Sequence, residues 1–142
     1  MKKWYLASRT KHRNKVKSII KMLRFLGDDV SYDWTQLQDL YPIFKHKELC
    51  NKIAGKISHA ISKTDVFVLI SDQAGTDMYV ELGIAISSAS RTKKPVIYAI
   101  GKQNKRSLMQ NHPLIIHKET FDEILDEQNH INFINHTNKK SV

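Results

Sequence analysis

At 142 residues the chain has the length of one domain. With 41% hydrophobic residues it can bury an ordinary core, and its single cysteine, Cys50, excludes an internal disulfide and a cysteine metal cluster. A net charge of +9 directs attention to anionic partners: nucleotides, nucleic acid or an acidic membrane surface.

The lone cysteine suits a reducing compartment. The opening MKKWYLASRTKHR has a basic head, but no apolar run of signal-peptide length follows it. No stretch approaches the roughly 18 apolar residues of a spanning helix. These features predict a cytoplasmic protein with no membrane segment. The basic charge is uneven. Residues 1–27 carry Lys2, Lys3, Arg9, Lys11, Arg13, Lys15, Lys17, Lys21 and Arg24, and no carboxylate.

KWYLAS, residues 3–8, is a short apolar run rich in strand formers. In the segment after it, Val16, Ile19, Ile20, Leu23 and Leu26 recur on one helical face, and Gly27 suits the helix stop. DVSYDWT, 29–35, reads as a second strand, and 36–44 as a loop interrupted by Pro42. A second amphipathic helix follows, with Leu49, Ile53, Ile57 and Ile61 in one row. DVFVLIS, 65–71, is a near-continuous apolar strand, as expected where both faces of a sheet are covered. A loop over 72–77 leads into a third helix, 78–90. KPVIYAIG, 94–101, is a fourth strand. The polar connection KQNKRSLMQN, with room for one helical turn, precedes a short fifth strand in HPLIIHK. A last helix is predicted over 119–135, then a short flexible tail, 137–142.

This order is βαβαβαβαβα. It predicts one α/β domain over 1–136, with a parallel sheet covered by helices on both faces. Right-handed crossovers make the flavodoxin-like, Rossmann-like doubly wound order 2-1-3-4-5 the expected topology. Ligands bind such sheets outside the carboxyl ends of the strands, where the strand order reverses. Here that point lies between strands 1 and 3. The loops SRTKHR and DQAGTD meet there.

Each loop carries candidate chemistry. Ser8 and Arg9 end strand 1 and lead into a helix start, where free backbone N–H groups and a guanidinium can hold a phosphate. The alternative is that Ser8 or Thr10 only caps the helix. Neither GxGxxG nor GxxxxGK[ST] is present. In AGTDMYVELG, Asp77 and Glu81 are four residues apart and share a helix face. Two such carboxylates can divide roles, one with a raised pKa and one ionised. A charged Glu81 facing a sugar carbon could attack it or stabilise an oxocarbenium-like transition state. The plainer reading is that Asp77 caps the helix and Glu81 is solvated. After strand 2, Tyr32, Asp33 and Trp34 reach the same sheet edge, where either aromatic ring could stack on a base or simply fill the rim. His12, His46, His59, His112 and His117 are scattered without metal-ligand spacing, so no metal or other cofactor is expected. Cys50 reads as buried filler.

Taken together, WYLAS, YDWT, DVFVLIS, GTDMYVELGIAI and KPVIYAIG resemble the nucleoside 2-deoxyribosyltransferase-like family, and in particular its small bacterial and phage members. The resemblance covers residues 3–101 and is strongest at ELGIA. It implies a flavodoxin-like domain that cleaves N-glycosidic bonds of nucleosides or nucleoside 5′-monophosphates. Glu81 matches the family's nucleophile, and Tyr5 the aromatic beside it on strand 1. Ser8 and Arg9 stand where nucleotide hydrolases of the family hold phosphate. The Asp that the family places six residues before the nucleophile is Gly75 here, with Asp72 and Asp77 close by. The helix before strand 3 offers Lys56, Ser58 and His59 where the transferases carry an Asp.

The site expected from residues and resemblance is therefore Glu81, Asp77 and Tyr5 for catalysis, with Ser8, Arg9, Asp33, Trp34, Asp72 and Gly75 for substrate. The family also implies a homodimer or higher oligomer, with Met78, Ile84 and Ile86 of the third helix as the candidate interface. A non-catalytic nucleotide-binding or sensing module of the same fold is the alternative. A nucleic-acid-binding protein is a weaker one, because the charge comes without a recognisable binding motif.

Overall fold

The computed structural model describes residues 1–129. The expected tail, 137–142, and the end of the expected last helix lie outside the described residues. Five parallel strands form one sheet in the order β2-β1-β3-β4-β5, a doubly wound α/β fold with the expected topology. They are β1 (Lys3–Ala7), β2 (Asp29–Val30), β3 (Val66–Ile70), β4 (Val96–Ile100) and β5 (Ile115–Lys118). Between them run α1 (Arg13–Phe25), α2 (Lys47–Ser62) and α3 (Asp77–Thr92). A last helix, α4, is described over 121–129.

The central strands are apolar because water reaches neither face. All five residues of β3 are buried, as are Trp4 to Ala7 of β1. Side chains alternate across a strand. Trp4 meets Phe121 of α4 at 5.7 Å, while Tyr5, next along, stacks on Phe67 at 5.6 Å. The register that pairs Tyr5 with Phe67 makes that stack possible.

Helix α1 buries Val16, Ile19, Ile20 and Leu23, but Leu26 lies past the last turn and is exposed. Gly27 ends the helix at φ 88°, a left-handed geometry that glycine adopts without a Cβ clash. Its N–H donates to the Arg24 carbonyl and that of Asp28 to the Leu23 carbonyl, so two terminal acceptors are satisfied. In α2, Ile53, Ala60 and Ile61 are buried, while Leu49 at the start of the predicted row is exposed.

The second strand is shorter than expected. It pairs over two residues only, and Trp34–Gln36 forms a 3-10 turn. Asp33 caps that turn by accepting from the Thr35 N–H at 3.2 Å and from the Thr35 hydroxyl. Trp34 is turned inward, 7% exposed, and its Nε1–H donates to the Leu6 carbonyl at 2.7 Å. A capping Asp and a buried indole outweigh the strand propensity of SYDWT. The expected loop 36–44 likewise ends in a 3-10 turn, Ile43–His46, that leads into α2.

Candidate active site

The crevice beyond the carboxyl ends of β1 and β3 gathers most of the predicted residues. The helix α3 begins there and carries Glu81 in its second turn, on the side of the sheet that Tyr5 faces. Tyr5 is 0% exposed, and its hydroxyl has no hydrogen-bond partner of good geometry among the described residues. The polar group beside it is the Glu81 carboxyl. Buried hydroxyls are nearly always satisfied, and the Glu81 carboxyl is the polar group placed to accept from this one.

Glu81 is half-buried. Burial pushes its carboxyl up to about 8; the negative charge of Asp77 adds to the rise and the Tyr5 hydroxyl opposes it. Burial beside Glu81 also pushes the Tyr5 phenol far up, with smaller contributions from Tyr32 and Asp77, so it stays a donor at any working pH. Asp77 is the first residue of α3 and exposed, and no side chain caps that helix. Glu81 and Asp77 therefore share a helix face in unlike surroundings, one withdrawn from water and one in it.

Asp72 has a different place. It is 7% exposed and draws three basic side chains from the loop after β1: His12 Nε2 at 2.9 Å, Arg9 Nη1 at 3.2 Å and Lys11 Nζ at 3.4 Å. The Ala74 N–H donates to it as well, at 3.1 Å. The His12 contact, followed by the Ala74 amide, Arg9 and Lys11, holds its carboxyl well below the usual range against the opposing effect of burial. Asp72 ties the two crevice loops together. Gly75 serves the same junction: its φ is 108°, and a Cβ there would come within 3.0 Å of Arg9 Cγ and 3.1 Å of Met78 Sδ.

A depressed carboxyl stabilises the fold above its unfolded value, here 3.8, and that contribution is lost as pH falls through the lowered folded value. Asp72→Asn should therefore melt below wild type at pH 7, with the gap closing as the pH drops under about 4. Melting followed by circular dichroism from pH 3 to 7 checks this; a gap that stays constant would show that charge is not what Asp72 contributes.

Ser8 is half-buried and donates only to the Arg9 carbonyl at 3.2 Å. Neither Ser8 nor Thr10 caps the 3-10 turn Thr10–His12 or α1. Arg9 uses Nη1 on Asp72 and remains half-buried at the crevice wall. Asp33 and Trp34 sit behind this wall, Asp33 as a cap and Trp34 under Arg13, whose guanidinium lies 5.9 Å from the indole centroid.

Sequence periodicity did not single out Lys11, His12 or Tyr79 for this site. The Tyr79 hydroxyl donates to the Asp72 carbonyl at 2.6 Å and the Arg106 guanidinium lies 6.0 Å from the Tyr79 ring. These contacts join residues far apart in the chain, and only the switch-point rule brings their loops together. Among the described residues no group of three or more His, Cys, Asp or Glu could hold a metal ion. None of the described helices is long and apolar enough to cross a membrane.

The fold and crevice define a doubly wound α/β domain with a withdrawn carboxyl at its switch point. Among solved structures, the chain is similar to the Clostridium botulinum CMP N-glycosidase BcmB. The two share 14% identity and superpose with a TM-score of 0.56 over 90% of this chain and 98% of that one. At this identity the likeness is one of fold. No family model matches the chain, and no curated protein matches it by sequence.

Proposed function

We propose that this chain is a nucleoside 2-deoxyribosyltransferase-like enzyme that cleaves the N-glycosidic bond of a nucleoside 5′-monophosphate, with Glu81 as nucleophile. The observation that carries this reading is the buried Tyr5 of β1 beside the half-buried Glu81 carboxyl of α3. BcmB, of the same fold, is by its name an N-glycosidase of CMP. In the proposed reaction a Glu81 oxygen attacks the anomeric carbon and the carbon–nitrogen bond breaks. Its electron pair goes to the base nitrogen, which takes a proton from water at the open side of the crevice, beside Asp77. Water, or a second base in a transfer, then attacks the glycosyl ester and restores Glu81. The Tyr5 hydroxyl donates to the Glu81 carboxylate when it is charged. Ser8 and Arg9 receive the phosphate. Asp33, Trp34, Asp72 and Gly75 serve by holding the walls and loops of the crevice rather than by touching substrate. The reducing cytoplasm is the proposed setting.

Incubation with a panel of nucleosides and nucleoside monophosphates, with free base followed by chromatography, tests the reading. Monophosphates should be cleaved in preference to nucleosides. Arg9→Ala should raise KM for a monophosphate by about 10- to 100-fold, the scale of a charge-assisted hydrogen bond, and leave nucleoside cleavage unchanged. Equal rates for both substrate types would remove the phosphate assignment.

A non-catalytic nucleotide-binding module is the second reading. One observation favours it: a carboxyl pushed up to about 8 is largely neutral at pH 7 and then a poor nucleophile. Nucleotide binding by calorimetry without release of base from any substrate would select this reading over the enzyme.

The proposal includes a homodimer or higher homo-oligomer. The interface expected on α3 needs correction, because Met78 at 2% exposed and Ile86 at 7% face the core and Ile84 is half-buried. Val80 of the same helix is 64% exposed, and Tyr41, Ile43 and Phe44 before α2 are exposed too. These apolar groups lie on the edge of the sheet that carries the crevice, where a second copy would shield a reactive sugar ester from water. Sedimentation should give a dimer, and Phe44→Asp should weaken it; a monomer that still releases base would end the oligomer reading.

A further inference from the structure

Outside the crevice, a cleft lies between α2 and the β2 edge of the sheet. It encloses about 530 Å³ and is lined by Lys3, Tyr32, Gly55, Lys56, His59 and Lys63 among others, with no carboxylate in its wall. Lys3 pairs with Asp29 at 3.3 Å. Asp29 is also held by Arg24, and Asp65 at the lower end by Lys94. Among the described residues no carboxylate pairs with Lys56 or Lys63, so their charge faces the cleft or solvent uncompensated.

Two further observations show that the cleft is more than a gap between elements. Lys52, Lys56, His59 and Lys63 follow one another at intervals of four, three and four residues, which puts them in one narrow stripe on the helix, all of them exposed. At 1.5 Å per residue the stripe runs about 16 Å along α2, rising from the lower edge of the sheet toward the crevice. Gly55 lies mid-helix, where glycine weakens an α-helix, yet a Cβ built there meets nothing within 4 Å. Tyr32, half-buried, puts an aromatic ring in the wall of the cleft.

We infer that the cleft binds the sugar-phosphate backbone of a single-stranded polynucleotide. This binding needs no catalysis in the crevice. A cationic groove with an aromatic ring at its end is the arrangement that tracks an unpaired strand and stacks a base. A stripe of about 16 Å exceeds the reach of the phosphates of one free nucleotide and matches successive phosphates of a strand.

Fluorescence anisotropy with labelled ten-nucleotide single strands of DNA and RNA tests this, with ATP as an unlabelled competitor. Wild type should bind with an affinity that falls with salt, and Lys56→Glu with Lys63→Glu should weaken it tenfold or more. The slope of log affinity against log salt should shrink by about 0.7 for each phosphate that the variant no longer neutralises. Gly55→Leu fills the cleft, leaves the charge unchanged and favours the helix; it should also weaken binding tenfold while melting no lower than wild type. Lys17→Glu with Lys21→Glu on α1 makes the same change in net charge away from the cleft and should have a small effect. Equal weakening by the α1 pair would show that net charge alone binds the strand and would overturn the inference. So would full binding by Gly55→Leu, no binding by wild type, or displacement by ATP at concentrations matching the strand itself. Glu81→Gln should bind the strand as wild type does, so a failure of the catalytic reading leaves this result distinct.

Discussion

Glu81→Gln should keep the fold and lower base release on the order of 10³-fold or more, the scale seen when a nucleophile is removed. Gln has the same size and leaves the packing of α3 in place, including the Tyr79 bond to the Asp72 carbonyl that anchors its first turn. It cannot form the glycosyl ester. Affinity for an uncleaved monophosphate should therefore stay near wild type, because Ser8 and Arg9 are untouched. Single-turnover assays and calorimetry on the same preparation separate the two quantities. A Gln variant that turns over near the wild-type rate would end the assignment of Glu81 as nucleophile. Asp77→Asn is the companion measurement. Asp77 is exposed and adds to the rise of the Glu81 carboxyl. Its removal should thus ease ionisation of Glu81.

The sheet was legible because each of its long strands solves one burial problem with one kind of sequence. DVFVLIS has no polar face, so it had to be central, and it lies between β1 and β4. Gly27 was legible as a stop because a left-handed residue is a local demand. Glu81 was placed by its helix and its loop, and the resemblance gave it a role. What was not legible is set by contacts across the chain. Whether YDWT continues a strand depends on whether Trp34 finds the Leu6 carbonyl, which lies on another strand. That the Asp72 oxygens meet His12, Arg9 and Lys11 depends on a loop about sixty residues earlier, which no local pattern around Asp72 announces. Nothing local in the sequence marks the open space beside Gly55, which only the packing around α2 reveals.

The rate of base release should rise with pH, reaching half its plateau near 8 and the plateau above about 9, because the nucleophile must lose its proton to attack. Free-enzyme ionisation is read in kcat/KM. With the Glu81 carboxyl pushed up to about 8, kcat/KM at pH 6 should be about 100-fold below the plateau. The same group acts on stability with a definite sign. In the unfolded chain Glu81 ionises near the ordinary value of 4.5, while the folded protein keeps the proton to about 8. Between those limits the native state binds more protons than the unfolded one, so stability falls as pH rises and levels off above the folded value. Glu81→Gln has no proton to lose there. Its melting temperature should match wild type near pH 4.5 and exceed it by a margin that grows up to pH 8 and then stays constant. Tyr5→Phe links the two measurements. The Tyr5 hydroxyl favours the charged form of Glu81, so its removal should move the midpoint of the rate profile to higher pH and extend the window over which stability falls. A midpoint that stays in place in Tyr5→Phe would detach the buried phenol from Glu81, and a rate that is flat from pH 6 to 9 would show that the ionisation of Glu81 does not control the reaction.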